Sequence, residues 1–274
     1  MTNSQIALVI PTCNRPTLLA RALNSVAGQT TVPQEVIVVD DGDRQDGRTA
    51  DVVAAAVDAG LRARYVRNAG ARSAAAARNF GARTARSSII AFLDDDDELM
   101  PDFIASSLGF RHQHRSTALT WTNALVRQFD STGAASDEWN VRFDPNASPA
   151  LVECQLLSIG SGFGVTIDLD VFLGLGGFDE RLKYVEDTEF FMRFLREGHC
   201  AAPLAITGIR LNQHSSGRLT DADNNASRRR ECVGTIWRHR HFLRSRPHLR
   251  AQLVSRARHL AGDVDGLETY GPPC

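Results

Sequence analysis

Cysteine is scarce and unorganised in this sequence. Five residues in 274 (Cys13, Cys154, Cys200, Cys232, Cys274) are odd in number, widely spaced and never arranged C-x-x-C, which excludes a disulfide framework and a cysteine zinc site. Long apolar runs are missing as well. No stretch approaches the roughly 18 residues a membrane-spanning helix needs, and a strand-like segment, Ile6 to Ile10, begins almost at once, so neither a membrane span nor a secretory leader is expected. The expected location is a reducing cytoplasm, with a peripheral position on the inner membrane face as the variant. Lysine is nearly absent: of 31 basic residues only Lys183 is a lysine. The remainder are planar forks suited to phosphate or carboxylate, although a GC-rich genome produces the same bias.

What is present excludes disorder. Hydrophobic residues make up 43% and charged residues 23%, enough to build a core in a chain of this length. The net charge of −1 conceals a division: residues 1–204 hold 19 basic and 26 acidic side chains, and residues 205–274 hold 12 and 6.

Short apolar runs rich in β-branched residues alternate with helical patterns over the first hundred residues, as in a parallel sheet wrapped by crossover helices. Strands are expected at Ile6–Ile10, Glu35–Asp40, Arg64–Val66 and Ile89–Leu93. Helices are expected near Thr17–Ala27, Thr49–Ala59 and Ser73–Ala85. Because IALVI and VIVV are continuously apolar, both faces of the sheet should be covered. Beyond Asp102 the pattern predicts a helix to about Gln113, a strand near Ala118–Phe129 and a polar excursion from Ser131 to Pro149. Two glycine-rich turns, SIGSGFG and LGLGGFDE, come next, then a helix over Asp187–Glu197. Asn225 to about Ala261 reads as one or two amphipathic, arginine-rich helices.

In an open α/β sheet, ligands bind beyond the carboxyl ends of the strands. Three strands here end in polar or acidic groups: Pro11-Thr12-Cys13-Asn14-Arg15, Asp40-Asp41-Gly42-Asp43 and Asp94-Asp95-Asp96-Asp97-Glu98. Gathered carboxylates repel one another unless cations or hydrogen-bond donors separate them. Hard divalent cations such as Mg²⁺ or Mn²⁺ take carboxylate oxygen and complete their shell with water and phosphate, so a metal-bridged diphosphate is the expected ligand.

The segments IALVIPTCNRPTLLARALNSVAGQT, EVIVVDDG, SAAAARNFGARTA, IIAFLDDDDELMPD and GGFDERLKYVEDTEFFMRFLREG, in that order and spacing over about residues 6–200, resemble the family 2 glycosyltransferases. The resemblance implies a GT-A fold, a Rossmann-like, mostly parallel mixed α/β sheet flanked by helices. Residues 1–215 would form the catalytic domain, with a nucleotide-binding half to about residue 100 and an acceptor-binding half after it. Residues 216–274 would be a helical extension.

It also implies an inverting transfer of one sugar from a nucleoside-diphosphate sugar, most commonly a UDP-sugar, to an acceptor hydroxyl. Pro11, Thr12, Asn14, Arg15, Asp40, Asp41 and Arg78 would surround the nucleotide, with Asp41 at base or ribose. Asp94 or Asp95 would meet the ribose and Asp96 the metal, Mn²⁺ or Mg²⁺, the register within the four aspartates being open by one residue. Glu186 and Asp187 match the family's second acidic motif, with Asp187 as the base that takes the acceptor proton. Gly160, Ser161 and Gly162 would let backbone approach the sugar, or simply form a turn. His214 and Arg218 fall where relatives often carry a group that closes over metal and diphosphate.

Two departures matter. The Q-x-x-R-W type motif and flanking membrane helices of processive synthases are missing, which fits single addition. Cys13 stands where the family usually has an aromatic residue. The acceptor, whether glycan, lipid-linked or small molecule, is not legible. Between Arg228 and Arg258 there are ten arginines against the single acid Glu231, a surface for an anionic partner or membrane, an oligomer face or a solvated helix pair. A nucleotidyltransferase on a similar sheet and a non-catalytic polyanion-binding module are the competing readings.

Overall fold

The computed structural model describes residues 5–42, 47–70, 73–214 and 221–261. Arg218 and Asp43 therefore lie outside the described residues. The first half alternates strictly: β1 (Ile6–Thr12), α1 (Pro16–Ala27), β2 (Glu35–Asp40), α2 (Arg48–Asp58), β3 (Ala63–Arg67), α3 (Ala74–Thr84) and β4 (Ile89–Phe92). There follow β5 (Glu98–Leu99), α4 (Phe103–Gln113), β6 (Thr117–Phe129), β7 (Ala135–Val141), α5 (Pro149–Ser158), β8 (Thr166–Asp168), α6 (Leu169–Gly174), α7 (Glu186–Arg196) and β9 (Cys200–Gln213). Helices α8 (Asn225–Arg238), α9 (Arg240–Arg244) and α10 (Pro247–His259) close the described chain. Among the described residues, no helix is long and apolar enough to cross a membrane.

Among the described residues, nine strands form one sheet in the order β3-β2-β1-β4-β8-β6-β9-β5, with β7 beside β6. From β3 to β4 the neighbours are parallel, and β8 then enters antiparallel to both β4 and β6. The chain runs outward from β1 to β2 and β3 and crosses back to β4, so the strand order reverses at β1. Crevices at such a switch point are where ligands bind in open α/β sheets.

The continuous apolar runs serve two cores, as the sequence predicts. Ala7 and Val9, with Ile37, Val39, Ile90 and Phe92, face one core; Ile6, Leu8 and Ile10, with Val36, Val38 and Ala91, face the other. Burying each of the larger side chains stabilises the fold by about 2 kcal/mol. The first core contains a cluster of Phe92, Phe172, Phe178 and Phe190, with ring centroids 5.1–5.5 Å apart. It fixes the GGFDE turn and the start of α7 against β4. Asn79 of α3 ties the same turn from the side, donating through Nδ2 to the Phe178 carbonyl and accepting from its N–H, both at 2.8 Å.

Three features differ from the sequence expectation. The polar excursion contains β7, nearly all of it exposed and held by its ladder to β6, so no buried face signals it. Strand β9 spans 14 residues but carries Pro203, Gly208 and register shifts against β6, which interrupt any period. The C-terminal helices number three among the described residues, because Pro247 opens a new one.

Those helices rest on the body of the protein. Leu243, Leu249 and Leu253 belong to the same core as Phe190 and Phe191. Polar pairs line the seam: Arg246 and His248 reach Glu153 at 3.1 and 2.6 Å, and Glu231 accepts from the Lys183 and Tyr184 N–H groups. Glu189 on α7 meets His239 Nε2 at 3.2 Å, Arg238 Nη1 at 3.2 Å and Arg193 Nη2 at 2.8 Å. The positive tail thus neutralises part of the negative body.

Glu189 carries a pH prediction. Burial alone would raise its carboxyl, but His239, Arg193 and Arg238 overcome that and hold it at about 2, against an ordinary 4.5. A depressed carboxyl contributes stability that is present above its unfolded value and lost as the pH falls through its folded one. The span corresponds to about 3 kcal/mol. Glu189→Gln should therefore melt below wild type at neutral pH, and the gap should close as pH falls from 4.5 to 2. A gap that stays constant across that window contradicts the assignment.

Candidate active site

The loops after β1 and β4 leave the sheet side by side, because the two strands pair in parallel with Val9 opposite Phe92. Thr12, the last residue of β1, donates its hydroxyl to Asp95 Oδ2 at 2.6 Å. Arg15 reaches over the same carboxylate, with Nη2 2.5 Å from Oδ1, and extends Nη1 to Asp96 Oδ2 at 3.0 Å. Burial alternates along the acidic run: Asp95 and Asp97 point inward, Asp94 and Asp96 outward. Asp97 accepts from the Asn212 N–H on β9 at 2.7 Å. Burial pushes the Asp95 carboxyl up to about 6 against the pull of Arg15 and Thr12, and raises Asp97 well above the usual range. Asp95, one of the two candidates for the ribose, has no exposed surface, because it ties the two loops together. Asp94 keeps a third of its side chain exposed.

Next to this pair, β2 delivers Asp40 and Asp41. Asp40 is 4% exposed and accepts from the Tyr65 hydroxyl at 2.8 Å and the Gly42 N–H at 2.9 Å. Asp41 is half-buried and accepts from Asn68 Nδ2 at 2.9 Å. Asn14 holds a left-handed φ of 56°, which asparagine tolerates better than most residues. Pro11 is buried within β1 opposite Val39, so it shapes the floor and does not face the crevice.

The second acidic motif faces the first. Glu186 and Asp187 open α7, where the helix macrodipole favours carboxylates. Arg78, buried on α3, divides its guanidinium between the two motifs: Nη2 donates to Asp94 Oδ1 at 2.6 Å and Nη1 to Glu186 Oε1 at 3.2 Å. The glycine turn completes the crevice. A Cβ on Gly160 would stand 2.9 Å from Asp187 Oδ2, and one on Gly162 would stand 3.1 Å from Asp94 Oδ2, so only glycine permits this approach without displacement. Ser161 is buried between them. Burial raises both Glu186 and Asp187; their mutual repulsion adds to it, while Arg78 opposes it at both and Arg256 at Asp187.

Among the described residues, no group of three or more His, Cys, Asp or Glu side chains converges as a metal cage. Two protein ligands suffice for Mg²⁺ or Mn²⁺ when phosphate and water complete the shell. His214, just past β9, stacks on Phe129 with centroids 5.2 Å apart, and its buried Nε2 has no hydrogen-bond partner. It acts electrostatically on Asp96. An outward carboxylate beside an orphaned imidazole nitrogen fits such a cation.

The sequence reading did not include Tyr65, Asn68, Asn212 or Arg21, whose Nη2 donates to the Asp96 carbonyl at 2.7 Å. All four brace the acidic loops; Tyr65, Asn68 and Asn212 stand outside the family segments, and Arg21 lies within the first of them without being marked by it. The structure brings Gly160, Gly162, Glu186, Asp187, Arg78 and Asp94 to one crevice.

Residues 7–140 match the family described as glycosyl transferase family 2. Over that segment, just under half of its length, the chain resembles a family 2 glycosyltransferase. The matched segment holds Thr12, Arg15, Asp40, Asp41, Arg78 and Asp94–Asp97; Gly160–Gly162, Glu186, Asp187 and His214 lie beyond it. An uncharacterised glycosyltransferase of Haemophilus influenzae is 25% identical over 196 residues, covering 70% of this chain and 62% of that protein. Validoxylamine A glucosyltransferase of Streptomyces hygroscopicus subsp. limoneus is 44% identical over 107 residues, covering 38% of this chain and 23% of its own length. The chain thus spans less than two thirds of either relative. The crystal structure of S. aureus TarS 1–349 in complex with UDP-GlcNAc shares the fold, with a TM-score of 0.71 over 93% of this chain and 73% of that one at 16% identity. The chain accordingly has the GT-A fold, followed by C-terminal helices.

Proposed function

We propose that the protein transfers a single sugar from a nucleoside-diphosphate sugar to an acceptor hydroxyl, inverting the anomeric centre. The observation that carries this reading is Arg78, which contacts Asp94 and Glu186 at once and so holds the two acidic motifs on opposite walls of one crevice. The nucleotide lies along the ends of β1 and β2, with Asp41 toward base or ribose and Asp94 toward the ribose. Asp187 faces the reacting carbon from the other wall.

In the transfer, the acceptor oxygen bonds to the anomeric carbon as the bond from that carbon to the diphosphate oxygen breaks. The hydroxyl proton passes to Asp187, and the diphosphate carries away the electron pair. A base raised toward neutrality, as burial raises Asp187, is matched to that task. Glu186, held by Arg78, fixes the start of α7. Asp96 and His214 would hold a divalent cation, Mn²⁺ or Mg²⁺, which when bound supplies positive charge to the departing diphosphate. A UDP-sugar is favoured because the TarS structure sharing this fold holds UDP-GlcNAc.

The test supplies UDP-glucose, UDP-GlcNAc, dTDP-glucose and GDP-mannose with Mn²⁺ and water as the fallback acceptor. Slow release of nucleoside diphosphate and free sugar from one donor is expected. Formation of nucleoside triphosphate and sugar 1-phosphate on adding pyrophosphate would identify a nucleotidyltransferase and overturn the reading. Within the same site, Asp96→Ala and His214→Ala should each abolish the Mn²⁺ stimulation of that release; a stimulation equal to wild type in both removes them as ligands.

A further inference from the structure

The C-terminal helices reach the crevice at one point. From α10, Arg256 Nη1 donates to Thr188 Oγ1 at 2.9 Å. Thr188 is buried, and both its N–H and its hydroxyl address Asp187 Oδ1, at 2.6 and 3.3 Å. A chain of contacts therefore runs from the last described helix to the carboxylate read as the base. Helix α10 is itself anchored by Leu249 and Leu253 in the main core, so the guanidinium is presented from a fixed support.

We propose that Arg256 is a positioning residue for Asp187, holding the Thr188 hydroxyl so that one carboxylate oxygen stays engaged and the other is left facing the glycine turn. The inference rests on Asp187 being the base. Two geometric facts support it. Asp187 Oδ2 is the oxygen against Gly160, where an acceptor would enter, while Oδ1 takes both Thr188 contacts. The charged groups facing Asp187 are Glu186 on its own helix, Arg78 from α3 and Arg256 from α10, and Arg78 is already shared between Asp94 and Glu186. Arg256 is thus the cation whose hydrogen bond to Thr188 leads to Asp187. The arginine-rich tail, in this account, completes the active site from behind.

The experiment follows the Asp187 carboxyl carbon by ¹³C NMR across pH in the full chain without ligands, the signal assigned by its loss in Asp187→Asn. In Arg256→Met its midpoint should rise by about one pH unit, since an opposing charge has been removed. The acid limb of nucleoside-diphosphate release from the active donor should move up with it, costing about tenfold in kcat below the midpoint with donor KM unchanged. Arg256→Lys should restore most of the midpoint. Thr188→Val, which keeps the backbone donor but removes the hydroxyl, should raise it as well and serves if Arg256→Met does not fold. An unchanged midpoint in all three variants, or a loss uniform across pH with raised donor KM, overturns the proposal. Wild-type activity in Asp187→Asn overturns the base assignment instead, and the NMR titration distinguishes the two failures.

Discussion

Asp187→Asn is expected to lower kcat for sugar transfer by about 10²- to 10⁴-fold, the usual contribution of a positioned general base. The substitution is nearly isosteric and leaves an oxygen to accept from Thr188, so packing at the start of α7 should survive. What disappears is the capacity to take a proton. Donor affinity should therefore remain at the wild-type value, because the nucleotide is read as bound at the opposite wall by Asp41 and Asp94. The remaining activity should also lose its rise with pH, since that rise reflects deprotonation of the buried Glu186–Asp187 pair, whose macroscopic values belong to both residues. Transfer at the wild-type rate, measured as nucleoside-diphosphate release, would remove Asp187 from the chemistry.

Arg78→Met should produce the largest loss of stability. The residue is 6% exposed, and its guanidinium is balanced by Asp94 on one side and Glu186 on the other. Burial alone would lower its affinity for the proton, and those carboxylates reverse the effect. Removing a cation from a buried cluster leaves uncompensated charge, at a cost of about 3–5 kcal/mol. For a chain of this size that is roughly a 10 °C fall in Tm. Arg78→Lys should recover only part, because one ammonium cannot serve two carboxylates that a planar fork reaches in different directions. Sugar transfer should be lost in both, since the walls of the crevice are no longer held together. A Tm within experimental error of wild type in Arg78→Met would contradict the bridging role.

The first half of the fold was legible because buried parallel strands announce themselves: β2 runs over Glu35–Asp40 as read, α3 is one residue shorter at each end, and β4 ends one residue earlier. Strand β9 was invisible because Pro203 and Gly208 break its pattern and its partners are fixed only in three dimensions. At the site, the motifs named Asp94–Asp97 but not which of them face outward. That follows from Thr12 and Arg15 claiming Asp95 and the Asn212 N–H claiming Asp97. Arg256 was read only as one charge among ten. Nothing in a run of arginines distinguishes the one that meets Thr188, since its selection depends on how α10 packs.

Calorimetric titration of UDP in the presence and absence of Mn²⁺, on wild type, Asp96→Ala and Asp187→Asn, tests the central claim most directly. The account predicts metal-dependent binding to wild type, its loss in Asp96→Ala and its retention in Asp187→Asn. A nucleotide on one wall and a base on the other demand that asymmetry. Equal binding in all three proteins, or loss only in Asp187→Asn, would contradict it.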